Sequence, residues 1–221
     1  MVRENPPSVT AASIRNVLET LRQLYGERRR ANPPNPYEVL VSVIISQRTR
    51  DEQTAVIAER VLSACPTVES LARADPDPLA AALRGSLDPP ARARRLIELA
   101  RLLVERHGGR VPDTLEQLIE LPGVGRKTAN CVLIFAFNLS AICVDTHVHR
   151  ITNRLGWVQT RGPEQTERAL ASLMPRDLWG PSNWLFVQHG RALCLPGVPR
   201  CSRCPLRPDC RYGQDPTTRK N

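Results

Sequence analysis

Leu121-Pro122-Gly123-Val124-Gly125-Arg126-Lys127-Thr128-Ala129 follows one helical stretch and opens another. Two glycines one residue apart permit a tight hairpin and a close approach of backbone to a ligand. The helix that follows presents N–H groups and the positive end of its dipole, a pairing suited to a phosphate. The pattern is a helix-hairpin-helix over about residues 115–134, a device that grips the DNA backbone without reading sequence. A plain packing corner between two helices is the alternative. Gly123, Val124 and Gly125 are the hairpin's candidate DNA contacts.

Outward from the hairpin the periodicity is helical almost throughout. Ile14, Val17, Leu18, Leu21, Leu24 and Tyr25 make one apolar face at i, i+3, i+4, i+7 spacing. Asn32-Pro33-Pro34-Asn35-Pro36 then breaks the chain. The next predicted helix, 37–46, is apolar nearly all round and hence buried. Others are predicted over 51–64, 68–73, 78–83, 91–106, 127–137, 146–155, 163–174 and 182–193, with Asp75 and Asp113 as caps. No strand pair, repeat or low-complexity tract stands out, and the stretch from Tyr212 to Asn221 is polar and expected to be loose. The fold class is all-α.

The 221 residues suit one large or two small domains and are enough to bury a core. A composition 41% hydrophobic and 24% charged excludes wholesale disorder. The longest purely apolar run, Cys131 to Phe137, falls far short of the ~20 residues a membrane span needs. Met1-Val2-Arg3-Glu4-Asn5-Pro6-Pro7 has no apolar core for a signal peptide, so the expectation is a cytoplasmic protein that meets no membrane. The net charge of +9 points to a polyanionic partner, a generally basic surface being the alternative. All but two of the 31 basic residues are arginine, and the exceptions are Lys127 and the penultimate Lys220. Arginine is always protonated, whereas lysine releases its proton where its site demands it. Lys127 therefore stands out for amine chemistry. In the first turn of a helix and beside Arg126, its ammonium is disfavoured, and a partly neutral amine attacks carbon as Schiff-base lysines do.

The next polar cluster is Val144-Asp145-Thr146-His147-Val148-His149-Arg150. Asp145 has two readings: a carboxylate that stabilises a cationic sugar-like transition state or takes a proton from the amine, and a purely structural helix cap. His147 and His149 read as hydrogen-bonding residues on a packed helix. Four of the seven cysteines crowd the C-terminus as C-x6-C-x2-C-x5-C: Cys194, Cys201, Cys204 and Cys210. Such a cluster in a cytosolic chain is a metal site rather than a disulfide framework. Zinc and a cubic iron–sulfur cluster both take four thiolates. One close pair flanked by single ligands favours [4Fe–4S], since zinc ribbons usually bring two close pairs. Cys65, Cys131 and Cys143 sit in apolar surroundings as inert core residues. Arg191, Arg200, Arg203, Arg207 and Arg211 surround the ligands, either to grip phosphates or to balance the negative charge of four thiolates.

Together these features resemble the endonuclease III family of DNA glycosylases, over nearly the whole chain from about Tyr37 through Cys210. The hairpin through Asn130, Val144-Asp145-Thr146-His147-Val148, His189-Gly190-Arg191 and the cysteine loop carry the likeness, in this order. The resemblance implies one [4Fe–4S] cluster and two helical domains with DNA in the cleft between them. Their expected extents are 30–139, holding the hairpin, and 1–29 with 140–221, holding the cluster. It further implies a monomer acting on double-stranded DNA that carries damaged bases, chiefly oxidised pyrimidines, or abasic sites. By the same likeness Lys127 is the nucleophile at sugar C1′, Asp145 its essential carboxylate, and strand cleavage follows base excision. Adenine mismatch glycosylases share the cysteine loop but use a glutamate on the second helix, where this chain has Val43. A non-catalytic DNA-binding module stapled by metal would need neither Lys127 nor Asp145.

Many members of the family end that helix with Ser-Ala-Gln-x-Thr-Asp, whose glutamine fills the gap left by the flipped base. Here the segment is Ser46-Gln47-Arg48-Thr49-Arg50-Asp51, which puts Arg48 in the glutamine's place and Gln47 one residue earlier. Both are expected to fill the gap. Leu87, in a loop Leu87-Asp88-Pro89-Pro90-Ala91-Arg92-Ala93 stiffened by its prolines, is expected to intercalate.

Overall fold

The structure, a computed structural model, describes residues 9–27 and 35–215. Asn32, Pro33, Pro34, Lys220 and the end of the polar tail lie outside them. The chain divides into two compact units, Ala31–Leu139 and Met1–Arg30 with Ser140–Asn221. Among the described residues both are helical, and the one pairing of β type is an isolated bridge between Arg84 and Ser86. No described helix is long and apolar enough to cross a membrane.

In the unit Ala31–Leu139 the helices are α2 (Pro36–Ser46), α3 (Asp51–Ala64), α4 (Val68–Ala72), α5 (Pro76–Ala82), α6 (Pro89–His107), α7 (Leu115–Ile119) and α8 (Arg126–Phe137). Helix α6 shows how local sequence sets them. Asp88 caps its start by accepting from the Ala91 N–H at 3.2 Å, prolines occupy its first two positions, and Gly108 ends it in the left-handed region at φ +57°. Pro89 and Pro90 thus belong to the helix and not to a stiffened loop, which ends at Asp88. Leu96, Leu99 and Leu103 line its inner face with no exposure. Each such side chain contributes about 1.5–3 kcal/mol by burial. Helix α6 packs on α4 and α5, while α2 packs on α3 and α8. Helix α8 is buried nearly all round, as its apolar run predicts. Asp75 caps α5, but Asp113 caps nothing: the cap of α7 is Thr114, whose hydroxyl accepts from the Gln117 N–H at 3.4 Å. A capping side chain must sit directly before the first helical residue, and Asp113 is one position too early.

The second unit is built from α1 (Ala11–Tyr25), α9 (Thr146–Leu155), α10 (Pro163–Leu173), α11 (Trp179–Ala192) and α12 (Arg211–Gln214), with 3-10 turns at Arg176–Leu178, Cys201–Arg203 and Arg207–Asp209. Ile14, Val17, Leu18 and Leu21 of α1 join Val148, Ile151, Leu185 and Phe186 in one core. Cys194, Cys204 and Cys210 pack against that core from its edge. The stretch expected to be loose from Tyr212 is helical through Gln214, where α12 forms and the Arg154 guanidinium lies 4.8 Å over the Tyr212 ring; residues 216–221 lie outside the described ones. Gly190 is required where α11 meets α9: a Cβ there would run into the His147 ring and come within 2.9 Å of Arg150 Nη2.

Candidate active site and cysteine centre

The hairpin is set by its own residues. Leu121 is buried, its carbonyl accepts from the Val124 N–H at 3.0 Å, and Gly123 turns the chain at φ +80°. Val124 is 5% exposed, so its side chain anchors the turn in the core and only its backbone faces outward chemistry. Gly125 begins α8 and supplies no side-chain cap. Lys127 is the second residue of α8 and is exposed.

Gln47, expected to fill the gap, is hydrogen-bonded to the hairpin. Its Nε2 donates to the Gly123 carbonyl at 2.9 Å and to Thr128 Oγ1 at 3.0 Å. Behind it lies Arg92, 8% exposed, whose Nη1 donates to the carbonyls of Ile44 at 2.9 Å and Ile45 at 2.8 Å, and whose Nη2 donates to the Gln47 carbonyl at 2.8 Å. Burial pushes the Arg92 guanidinium below its ordinary value, with Arg95 adding repulsion. A guanidinium at the negative end of α2 satisfies carbonyls that the helix itself leaves open. Arg48 differs from its neighbour: it is exposed and sits in the left-handed region at φ +55°. A non-glycine residue there is strained, a state that clusters at functional sites. Leu87 is 53% exposed at the end of a pinned loop, where Arg60 Nη2 donates to the Arg84 carbonyl at 2.7 Å and the Ser86 N–H to the Leu83 carbonyl at 3.0 Å.

Asp145 belongs to the other unit. It caps α9 through one oxygen: Oδ1 accepts from the N–H groups of His147 and Val148, both at 2.9 Å. Oδ2 faces the Asn183 amide at 3.4 Å, and that amide also donates to the Cys143 carbonyl at 3.0 Å. The cap therefore uses one oxygen of the side chain and Asn183 the other. His149 Nδ1 meets Thr166 Oγ1 at 2.7 Å, and His147 Nδ1 meets Arg150 Nη2 at 3.1 Å, which gives both histidines structural partners.

Cys194, Cys201, Cys204 and Cys210 share the walls of one cavity with apolar side chains of α9 and the loop, including Ile151, Leu155 and Leu206. Among the described residues no three His, Cys, Asp or Glu side chains converge on a point that would hold one metal ion. Burial, with repulsion from the neighbouring cysteines, pushes the Cys204 thiol up to about 11 and raises Cys210 as well. Positive charge among the sulfurs would reverse that trend, because thiolates are the metal-binding form. Two polar side chains lie against them. Arg154 Nη1 lies 3.3 Å from Cys194 Sγ while donating to the Leu195 carbonyl at 2.7 Å. His189 Nε2 lies 3.5 Å from Cys204 Sγ, with the Tyr25 hydroxyl 3.1 Å from Nδ1. Burial pushes the His189 imidazole down to about 4, so it is neutral at neutral pH. Arg191, Arg200 and Arg203 are exposed around this loop.

Sequence reasoning missed Arg92, Arg154 and Asn183. Arg92 could have been found as an arginine in register with the apolar stripe of Leu96, Leu99 and Leu103. Arg154 carried no such signal, because its partners lie 40 and more residues away in the chain.

Comparison with known proteins follows the geometry. The profile of HhH-GPD superfamily base excision DNA repair proteins matches residues 41–176. Endonuclease III of Thermotoga maritima is 50% identical over 178 residues, 80% of this chain and 84% of its own length. Endonuclease III-like protein 1 of Gallus gallus is 41% identical over 176 residues, 76% of this chain and 61% of its own. A solved structure of a trapped covalent intermediate of endonuclease III with DNA, an estranged-adenine complex, matches with a TM-score of 0.83 and 30% identity. That match covers 92% of this chain and 97% of the other.

Proposed function

This chain belongs to the endonuclease III family of HhH-GPD base excision DNA repair proteins, and we propose from that premise that Lys127 and Asp145 make it a bifunctional glycosylase and abasic-site lyase. The substrate is double-stranded DNA bearing an oxidised pyrimidine or an abasic site, bound by the protein as a monomer. The observation that carries the reading is the one internal lysine of an arginine-using chain, exposed at the second position of the hairpin helix.

The damaged base must leave the stack to be reached. As its bond to C1′ breaks, the base departs with the electron pair and positive charge develops on the sugar. Asp145 Oδ2, the oxygen not used by the cap, is assigned to balance that charge. The neutral amine of Lys127 forms a bond to C1′, and ring opening gives an iminium. The iminium acidifies C2′; loss of that proton expels the 3′ phosphate oxygen with its electron pair, which nicks the strand. A phosphate-binding lysine alone would need none of this.

The four cysteines line one cavity, and their C-x6-C-x2-C-x5-C spacing, one close pair flanked by single ligands, favours a [4Fe–4S] cluster over zinc. Bound there, the cluster would hold rigid the loop that carries Arg200 and Arg203, which bind phosphates. Arg154 donates to the Cys194 sulfur and His189 lies beside the Cys204 sulfur.

Borohydride tests the proposal, since it reduces an iminium to a stable adduct. Wild-type protein should be trapped on lesion-containing duplex, and Lys127→Arg should neither trap nor nick, because a guanidinium is not a neutral nucleophile. Trapping that survives in Lys127→Arg assigns the adduct to Lys220 or the N-terminal amine and overturns the role of Lys127.

A further inference from the structure

We propose that Gln47 is a positioning residue for Lys127: an amide strut that fixes the hairpin from inside the protein rather than a side chain that enters the DNA. The inference rests on the lyase reading of Lys127 above. A primary amide carries two N–H donors on one nitrogen. In Gln47 both are used, one on the Gly123 carbonyl at 2.9 Å and one on Thr128 Oγ1 at 3.0 Å. Those two acceptors bracket the working segment. Gly123 is the residue that turns the chain at φ +80°, and Thr128 directly follows Lys127 in the first turn of α8. The amide therefore ties the entrance of the turn to the exit, and the lysine lies between its two ends. Thr128 is 4% exposed, so this end of the strut is embedded in the protein.

A strut works only if its base is fixed, and this one is held at both ends of its backbone. The Gln47 N–H donates to the Ile44 carbonyl at 3.2 Å, and the Gln47 carbonyl accepts from Arg92 Nη2 at 2.8 Å. The other terminal nitrogen of Arg92 holds the Ile44 and Ile45 carbonyls. The end of α2, the start of α6 and the hairpin are thereby connected by hydrogen bonds through two side chains. Arg48, the next residue, is exposed and takes no part in this connection.

A displacement of about 1 Å in a reacting group lowers rate by up to about a hundredfold. Gln47→Met keeps length and volume and removes both donors. Single-turnover rates should be measured on a duplex with an oxidised pyrimidine and on a duplex with a ready-made abasic site, alongside the dissociation constant for a reduced abasic site and the thermal midpoint. Both rate constants should fall about tenfold or more in parallel, as should the rate of borohydride trapping, with affinity unchanged and any fall in the midpoint small enough to leave the protein folded at the assay temperature. Excision slowed while abasic cleavage stays at the wild-type rate would make Gln47 a gap filler and overturn the proposal. So would two unchanged rates, a loss confined to affinity, or a midpoint lowered so far that the variant is partly unfolded at the assay temperature. Failure of the wild-type protein to be trapped would instead sink the lyase reading, so the two failures are told apart by the wild-type control.

Discussion

Replacing Arg92 with methionine is the sharpest test of how this unit holds its DNA-facing end. The guanidinium is 8% exposed and makes three hydrogen bonds of 2.8–2.9 Å to the last carbonyls of α2. Without it the Ile44 carbonyl keeps the Gln47 N–H at 3.2 Å, but the Ile45 and Gln47 carbonyls lose a charged donor. A buried acceptor left without its partner costs about 1–3 kcal/mol, so two cost roughly 2–6. Relief from burying a charge, and the good packing of a methionine chain, return part of that. A net loss of about 3 kcal/mol lowers the thermal midpoint of a chain this size by about 6–12 °C, read by calorimetry or far-ultraviolet circular dichroism. Arg92→Lys should fall between, because one ammonium cannot fork to three carbonyls. A midpoint within about 2 °C of wild type for Arg92→Met would refute this energetic assignment, as would a lysine variant equal to wild type.

Two further outcomes are expected. Freshly purified protein should be brown, with about four irons per chain, and should lose that colour in Cys204→Ser; a colourless protein holding one zinc would remove the cluster. Asp145→Asn should bind duplex DNA at least as tightly as wild type and lose most of its turnover, while its thermal midpoint stays nearly unchanged because asparagine caps a helix as well as aspartate does. A variant that loses stability and turnover together would assign Asp145 to the fold alone.

The parts legible in the sequence are those whose causes are local. The apolar stripe of α1 at residues 14, 17, 18 and 21, the glycines of the hairpin and the C-x6-C-x2-C-x5-C loop each carry their reason within a few residues, and each forms where its pattern puts it. Cap positions at Asp113 and Thr114 differ by one residue because both side chains cap well and only the backbone path decides between them. The surroundings of Gln47 were illegible for a different reason. Its partners, Gly123 and Thr128, lie 76 and 81 residues away in the chain, and no local pattern shows that an amide meets them. Two adjacent polar residues in a motif look interchangeable until packing turns one inward.

Asp145 shows why a structural reading and a catalytic one need not compete. Read from sequence, an aspartate before Thr146 is either a cap or a reacting group. A carboxylate, however, has two oxygens and about four acceptor positions. Two backbone N–H bonds at 2.9 Å fix Oδ1 and so fix the plane of the whole group, while Asn183 stands beside Oδ2. A reacting carboxylate has to be held in place, and an N-cap does this by hydrogen bonds to the N–H groups of the helix end. The same logic runs through the hairpin, where the Gln47 amide holds the turn beside Lys127 by bonding its neighbours. In both places the proposed reacting group is oriented by ordinary capping and turn chemistry. The residues to vary in dissecting the reaction are therefore the holders, Gln47, Arg92 and Asn183, as much as Lys127 and Asp145.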